Sequence, residues 1–190
     1  MKLLILLMQI TLISNASANP KKLRPGDILL QPLSCWACSL IEGQEKTIYS
    51  HMAIVVKTNP VLVGEAWQGV TATPLAEFLQ KTEKGQQVRI IRHRTEGFDA
   101  DLLLADFKTF EGIPYDAAFS WSDEAQYCSE LVYKLLLNYT HKLPAPKPMR
   151  FDYARKHWIK YFNGNVPDGE LGISPGDFDR STHFKTIGFL

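Results

Sequence analysis

His51-Met52-Ala53-Ile54-Val55-Val56, then Asn59-Pro60, then Val61-Leu62-Val63-Gly64-Glu65-Ala66-Trp67: two apolar, partly β-branched runs flank a chain-breaking pair. Runs of this texture form strands in a sheet core, and Asn-Pro marks a turn. The two therefore read as an antiparallel hairpin. Gln68-Gly69 turns again into Val70-Thr71-Ala72, which extends the hairpin to a meander. Upstream, Pro25-Gly26 turns the chain into a buried strand from Asp27 to Gln31, and downstream Val88 to Arg92 alternates as a further strand.

Helical signals frame this sheet. Ser34 to Glu42 reads as a short helix carrying Cys35 and Cys38, and Thr73 as the cap of another from Pro74 to Leu79. From Asp99, apolar groups at Leu102, Leu103, Phe107 and Phe110 recur three and four apart until Gly112-Ile113-Pro114 stops the pattern. Leu131, Val132, Leu135 and Leu136 form the apolar face of a helix ending near Asn138, and Phe151 to Phe162 reads as an aromatic-rich one. Pro144, Pro146 and Pro148 give a stiff link, and 164–176 a loop region. The resulting class is α+β: one domain over residues 19–190, an antiparallel sheet against helices, finished by a C-terminal wrap.

Lys and Arg total 21 against 20 Asp and Glu, a net charge of +1, so no general field draws the chain to nucleic acid or an anionic membrane. Met1 to Ala18 combines a cationic start at Lys2, an apolar run and the small triplet Ala16-Ser17-Ala18, which is the pattern of a cleavable secretory signal. The apolar run is shorter than the ~20 residues that cross a bilayer. The mature chain is therefore expected in a periplasm or outside the cell, with no integral membrane segment.

Export makes the cysteines informative, because an oxidising compartment pairs exposed thiols. Cys35 and Cys38 lie close together as Cys-Trp-Ala-Cys, while Cys128 is the odd one out. A polar, turn-like stretch, Trp121 to Tyr127, feeds directly into the Leu131 helix and puts Cys128 in its first or second turn. There the unpaired N–H groups and the helix dipole favour a thiolate. The plainer reading is a small buried core residue, since position 128 shares the apolar face.

A thiol nucleophile needs a base, and of the five histidines His51 is best placed, at the mouth of an apolar strand. His93, between Arg92 and Arg94, reads instead as part of a solvated charged strip. Glu65 interrupts an otherwise apolar strand, and an unpaired carboxylate facing a core is costly. If the hairpin pairs around Asn59-Pro60, Glu65 reaches the level of His51 and can orient its ring. The alternative is a carboxylate on an open sheet face. Trp67, Trp121 and Tyr127 are candidates to line an apolar or aromatic substrate groove, against ordinary core packing.

Taken together, Gly26 to Gln31, Tyr49-Ser50-His51 to Val55, Glu65-Ala66, Thr73-Pro74-Leu75, Pro114-Tyr115-Asp116, Tyr127 to Val132 and Ile173 to Asp177 resemble the YiiX/YebB-like group of permuted papain-fold cysteine hydrolases, within the NlpC-type superfamily. The likeness covers nearly the whole mature chain. It implies a circularly permuted papain-like fold in which the histidine precedes the nucleophile, with Cys128 as nucleophile, His51 as base, Glu65 as the polar third group and Tyr127 as an aromatic neighbour. It also implies amide or ester hydrolysis through a thioester, on a peptide, a cell-wall fragment or an acylated lipid or protein. Neither a cofactor nor a metal is called for, because the His and Cys spacing is not that of a zinc site. Cys35 and Cys38 depart from the barest family pattern.

Two other classes stay open on the sequence. One is a thiol–disulfide oxidoreductase using Cys35 and Cys38, although a thioredoxin-type βαβ unit is missing around that pair and a structural disulfide is the favoured use. The other is an inactive module that keeps the fold to grip cell-wall peptide or lipid.

Overall fold

A computed structural model describes residues 23–95 and 97–190; the expected leader, Met1 to Ala18, lies outside the described residues. In chain order the elements are β1 (Ile28–Gln31), α1 (Trp36–Glu45), β2 (His51–Thr58), β3 (Val61–Ala66), β4 (Val70–Pro74), α2 (Leu75–Gln80), β5 (Arg89–His93), α3 (Ala100–Phe110), α4 (Cys128–Leu137), β6 (Lys147–Pro148), α5 (Arg155–Tyr161), β7 (Leu171–Gly172), α6 (Pro175–Arg180) and β8 (Phe184–Phe189). Six strands form one antiparallel sheet in the order β4-β3-β2-β1-β5-β8, and β6 and β7 pair separately.

Strand side chains alternate between faces, so the central strands bury both. Ile28, Leu30, Met52, Ile54 and Ile91 face one way and meet Leu103 and Phe107 of α3 and Leu131, Val132, Leu135 and Leu136 of α4. Leu29, Ala53, Val55, Val63 and Ile90 face the other way and meet Leu75 and Phe78 of α2. Each large side chain so buried contributes roughly 1.5–3 kcal/mol. Gly64 lets α3 come close: a Cβ there would stand 2.4 Å from the Phe107 ring. A third cluster, built on Phe119, Tyr127, Phe151 and Trp158, lies around the start of α4.

Several expectations need correction. The proline opens no helix: β4 runs through Pro74, which caps α2 without a side-chain bond, and Thr73 is a strand residue opposite Val63. Its hydroxyl instead serves Glu65. His93 is buried, with Nε2 bonded to the Lys142 carbonyl at 2.9 Å, rather than solvated between its arginines; Arg92 is drawn into an ion pair with buried Asp27. The tail does more than wrap, since β8 joins the sheet beside β5, and the expected 164–176 loop contains β7 and the start of α6. Ser174 caps α6 through a reciprocal bond with Asp177. Among the described residues, no helix is long and apolar enough to cross a membrane.

Candidate active site

The start of α4 is held from three sides. Tyr127, with extended backbone, is its N-cap and Cys128 its first residue. The Tyr127 N–H donates to the Glu130 carboxylate at 3.3 Å, and the Gln126 N–H to the Pro114 carbonyl at 2.9 Å. The two neighbours of Cys128 grip one peptide residue: the Ile173 N–H donates to the Tyr127 hydroxyl (3.1 Å), and the Ser129 hydroxyl donates to the Ile173 carbonyl (2.8 Å). This ties the helix mouth to the segment between β7 and α6. Cys128 is a free thiol, 6% exposed. Burial pushes the Glu130 carboxyl up to about 7, against the opposing pull of Lys134.

His51 opens β2, at the end of the sheet where the strand gives way to loop, and is buried. The β2–β3 register pairs Ile54 with Gly64, so one antiparallel step onward places Glu65 beside Ala53, diagonal to His51 on the same face. The contact follows: His51 Nε2 and Glu65 Oε2 lie 2.7 Å apart. The other carboxylate oxygen accepts from Lys81 Nζ at 2.6 Å. Lys81 lies at the C-terminal end of α2 and also stands 5.4 Å from the Trp67 ring centroid and 5.6 Å from that of Phe78.

The electrostatics follow from these partners. Burial alone would make the His51 imidazole less basic, but hydrogen bonds to the Cys128 side chain and to Glu65, with their charges, outweigh it and push its pKa up to about 9. Burial likewise works against the Glu65 carboxylate, yet His51, Lys81 and Thr73 hold it down at about 2. Since Nε2 faces Glu65, Nδ1 is the ring nitrogen left for the sulfur. A buried carboxylate, an imidazole and the Cys128 sulfur thus interact, a set that can move a proton between sulfur and leaving group.

A cavity of about 470 Å³ opens beside Cys128, and its lining includes Tyr115, Phe119, Tyr127, Met149, Phe151, Trp158 and Ile173. Of the three aromatics expected at a groove, Tyr127 is there. Trp67 and Trp121 are not among the lining residues. Trp67 stands edge-on to His51 (5.5 Å between ring centroids), and Trp121 lies against Tyr133 (5.6 Å) beneath Lys134. Phe119 is presented by a turn in which buried Asp116 accepts the N–H groups of Ala118 and Ser120 and the Ser120 hydroxyl. Phe119 and Trp121 both take left-handed backbone there, at φ 53° and 56°. Bulky residues rarely hold that conformation without support, which the Asp116 bonds provide.

Lys81 and Phe119 were not singled out from the sequence, and Thr73 and Asp116 were named there only as a helix cap and within family-like motifs, with no role at the site. Only Asp116 carried a signal, as an Asp in a loop able to bond its own backbone. The remainder depend on strand register and on the packing of segments far apart in sequence.

An antiparallel sheet with a cysteine at a helix mouth and a histidine on the facing strand, in the chain order His then Cys, defines a permuted papain-like cysteine hydrolase. Residues 22–188 match the model of the permuted papain-like amidase enzymes, the YaeF/YiiX, C92 family, and the chain belongs to that family. It is 36% identical over 117 residues to the uncharacterized protein YiiX of Escherichia coli (strain K12); that match takes in 60% of this chain and 57% of the relative. It also superposes on the crystal structure of the metalloprotein YiiX from Escherichia coli O157:H7 with a TM-score of 0.79 at 27% identity, covering 87% of this chain and 96% of that one. The word metalloprotein describes that relative. Among the described residues here no group of three or more His, Cys, Asp or Glu side chains is gathered as a metal site.

Proposed function

We propose that the chain is an exported hydrolase of amide or acyl-ester bonds in which Cys128 is the nucleophile, His51 its acid and base, and Glu65 the group that orients His51. The observation that carries this reading is the Glu65–His51 contact at 2.7 Å, on a ring that also interacts with the Cys128 side chain. The leader-like Met1 to Ala18 supports export.

The reaction follows from the charges. The Cys128 sulfur attacks the acyl carbon, and His51 delivers its proton to the leaving amine or alcohol, leaving a thioester. Acylation removes the sulfur's charge, which was one of the two supports for the protonated ring. Burial then counts for more, so neutral imidazole becomes easier to reach and can take a proton from the attacking water. The N–H groups opening α4, beside Cys128, are placed to receive the oxyanion. Lys81 and Thr73 keep Glu65 ionised through both steps.

The cavity narrows the substrate. Its lining of Phe119, Tyr127, Phe151 and Trp158 suits an apolar acyl chain or aromatic side chain next to the scissile bond. A peptide, cell-wall fragment or acylated lipid qualifies only if it carries such a group. Untargeted comparison of cell-wall fragments and lipids after exposure to the native protein and to Cys128→Ala tests this. Products released by the native protein alone, with an apolar group on the acyl side, are expected. Equal release by both proteins would overturn the reading in favour of a contaminant or a non-catalytic binder.

A further inference from the structure

Cys35 and Cys38 are joined as a disulfide, and its setting differs from that of a structural staple. The bond spans three positions within the first turn of α1 and ties no second element to the core. A bridge closing so short a loop restrains the unfolded chain less than one closing a long loop would. Its two sulfurs are also unequal. Cys35, the N-cap of this ten-residue helix, is exposed, whereas Cys38 is 3% exposed. The Cys35 sulfur accepts the Cys38 N–H at 3.0 Å. Beside it, Trp36 is 50% exposed and leans on Tyr161 and His157, leaving an open aromatic surface next to the exposed sulfur.

We propose that Cys35–Cys38 is a second reactive site, a redox-active disulfide that exchanges with thiols of small molecules or of exposed protein dithiols. A partner thiolate attacks the exposed Cys35 sulfur. The Cys35–Cys38 bond breaks, its electron pair passes to the Cys38 sulfur, and that sulfur takes a proton from water. A second partner thiolate then attacks the partner's own sulfur in the mixed disulfide, which releases the partner as a disulfide and frees Cys35. Two thiols lose two electrons and two protons, and the protein's disulfide gains both.

The helix supplies the driving force. Released at the N-cap, the Cys35 sulfur meets the Cys38 N–H and the positive end of the α1 dipole, both of which favour a thiolate. A stabilised reduced form makes the oxidised pair readier to accept electrons. The antiparallel surroundings rule out a thioredoxin fold without removing this local chemistry. The inference is independent of the hydrolase reading, because the exchange uses neither Cys128 nor His51.

The test uses the full chain carrying Cys128→Ala, so that only this pair can react. The folded, oxidised protein is exposed to reduced glutathione at millimolar concentration, quenched in acid, alkylated and weighed intact, with circular dichroism recorded alongside. Reversible reduction without loss of fold is expected. In the same background, Cys38→Ser should capture oxidised glutathione at Cys35 on the order of tenfold faster than Cys35→Ser captures it at Cys38. A native pair that resists glutathione until the chain is unfolded in urea would overturn the proposal, and so would equal capture by the two single variants. The reduction arm needs neither cysteine substitution and stands even if one variant fails to fold.

Discussion

Replacing Glu65 by glutamine keeps the size and one acceptor oxygen but removes the charge that faces His51. The His51 pKa is raised from 6.5 to about 9 although burial opposes the charge, so the bonds and charges of Cys128 and Glu65 outweigh that burial. A hydrogen bond to a charged group is worth ~1.5–3 kcal/mol, so losing the Glu65 charge should lower the His51 midpoint by about 1 to 2 pH units and kcat/KM by about 10- to 100-fold. The midpoint is read by NMR titration of 15N-labelled imidazole in Glu65→Gln beside the native protein, and the rate with any ester the native protein cleaves. A His51 midpoint that stays within about 0.3 pH units of the native one refutes the electrostatic reasoning, because removal of a full charge at hydrogen-bond distance must register.

Lys81 acts at one remove. Lys81→Met should lower the His51 midpoint less than Glu65→Gln does, and Lys81→Arg should restore it; a Met variant with an unchanged titration but lower thermal stability would leave Lys81 a purely structural role. The folded chain should lose stability as pH falls from about 4.5 through about 2, where Glu65 takes up a proton, and again as pH rises from 6.5 through about 9, where His51 releases one. Urea titrations across that range check both limbs, and Glu65→Gln should flatten the acid one. Asp116→Ala removes three hydrogen bonds from the turn that carries Phe119. A loss of roughly 2–4 kcal/mol and a raised KM are expected, since each bond to a charged group is worth ~1.5–3 and the turn partly relaxes. Gly64→Ala should cost roughly 1–3 kcal/mol by overpacking against Phe107, measured by thermal melting.

The sheet was legible because its central strands are short and apolar on both faces, and the turns between them are written in Asn-Pro and Gly. Cys128 could be placed because a polar stretch runs straight into an apolar helix, and the structure makes it the first residue of α4. His51 and Glu65 needed one further step, the hairpin register, which the turn at Asn59-Pro60 largely sets. Other features were out of reach for physical reasons. β8 pairs with a strand some ninety positions upstream, at Arg89–His93, so its Phe184-Lys185-Thr186-Ile187-Gly188-Phe189 pattern gains meaning only beside β5. Lys81 meets Glu65 because α2 folds back over the sheet, which no local spacing records. Trp67 and Trp121 were assigned to a groove on residue type alone. Their neighbours, His51 for one and Tyr133 for the other, depend on packing that composition does not encode.

A thioester on Cys128 is the intermediate on which the proposed reaction turns. Intact-protein mass spectrometry after rapid acid quenching, with a slowly hydrolysed aryl ester of a medium-length fatty acid, looks for it directly. The predicted result is a mass gain of one acyl group on the native chain, mapped to Cys128, discharged by neutral hydroxylamine and absent from Cys128→Ala. Ester consumed at the native rate by Cys128→Ala, or an acyl group carried on another residue, would contradict the account.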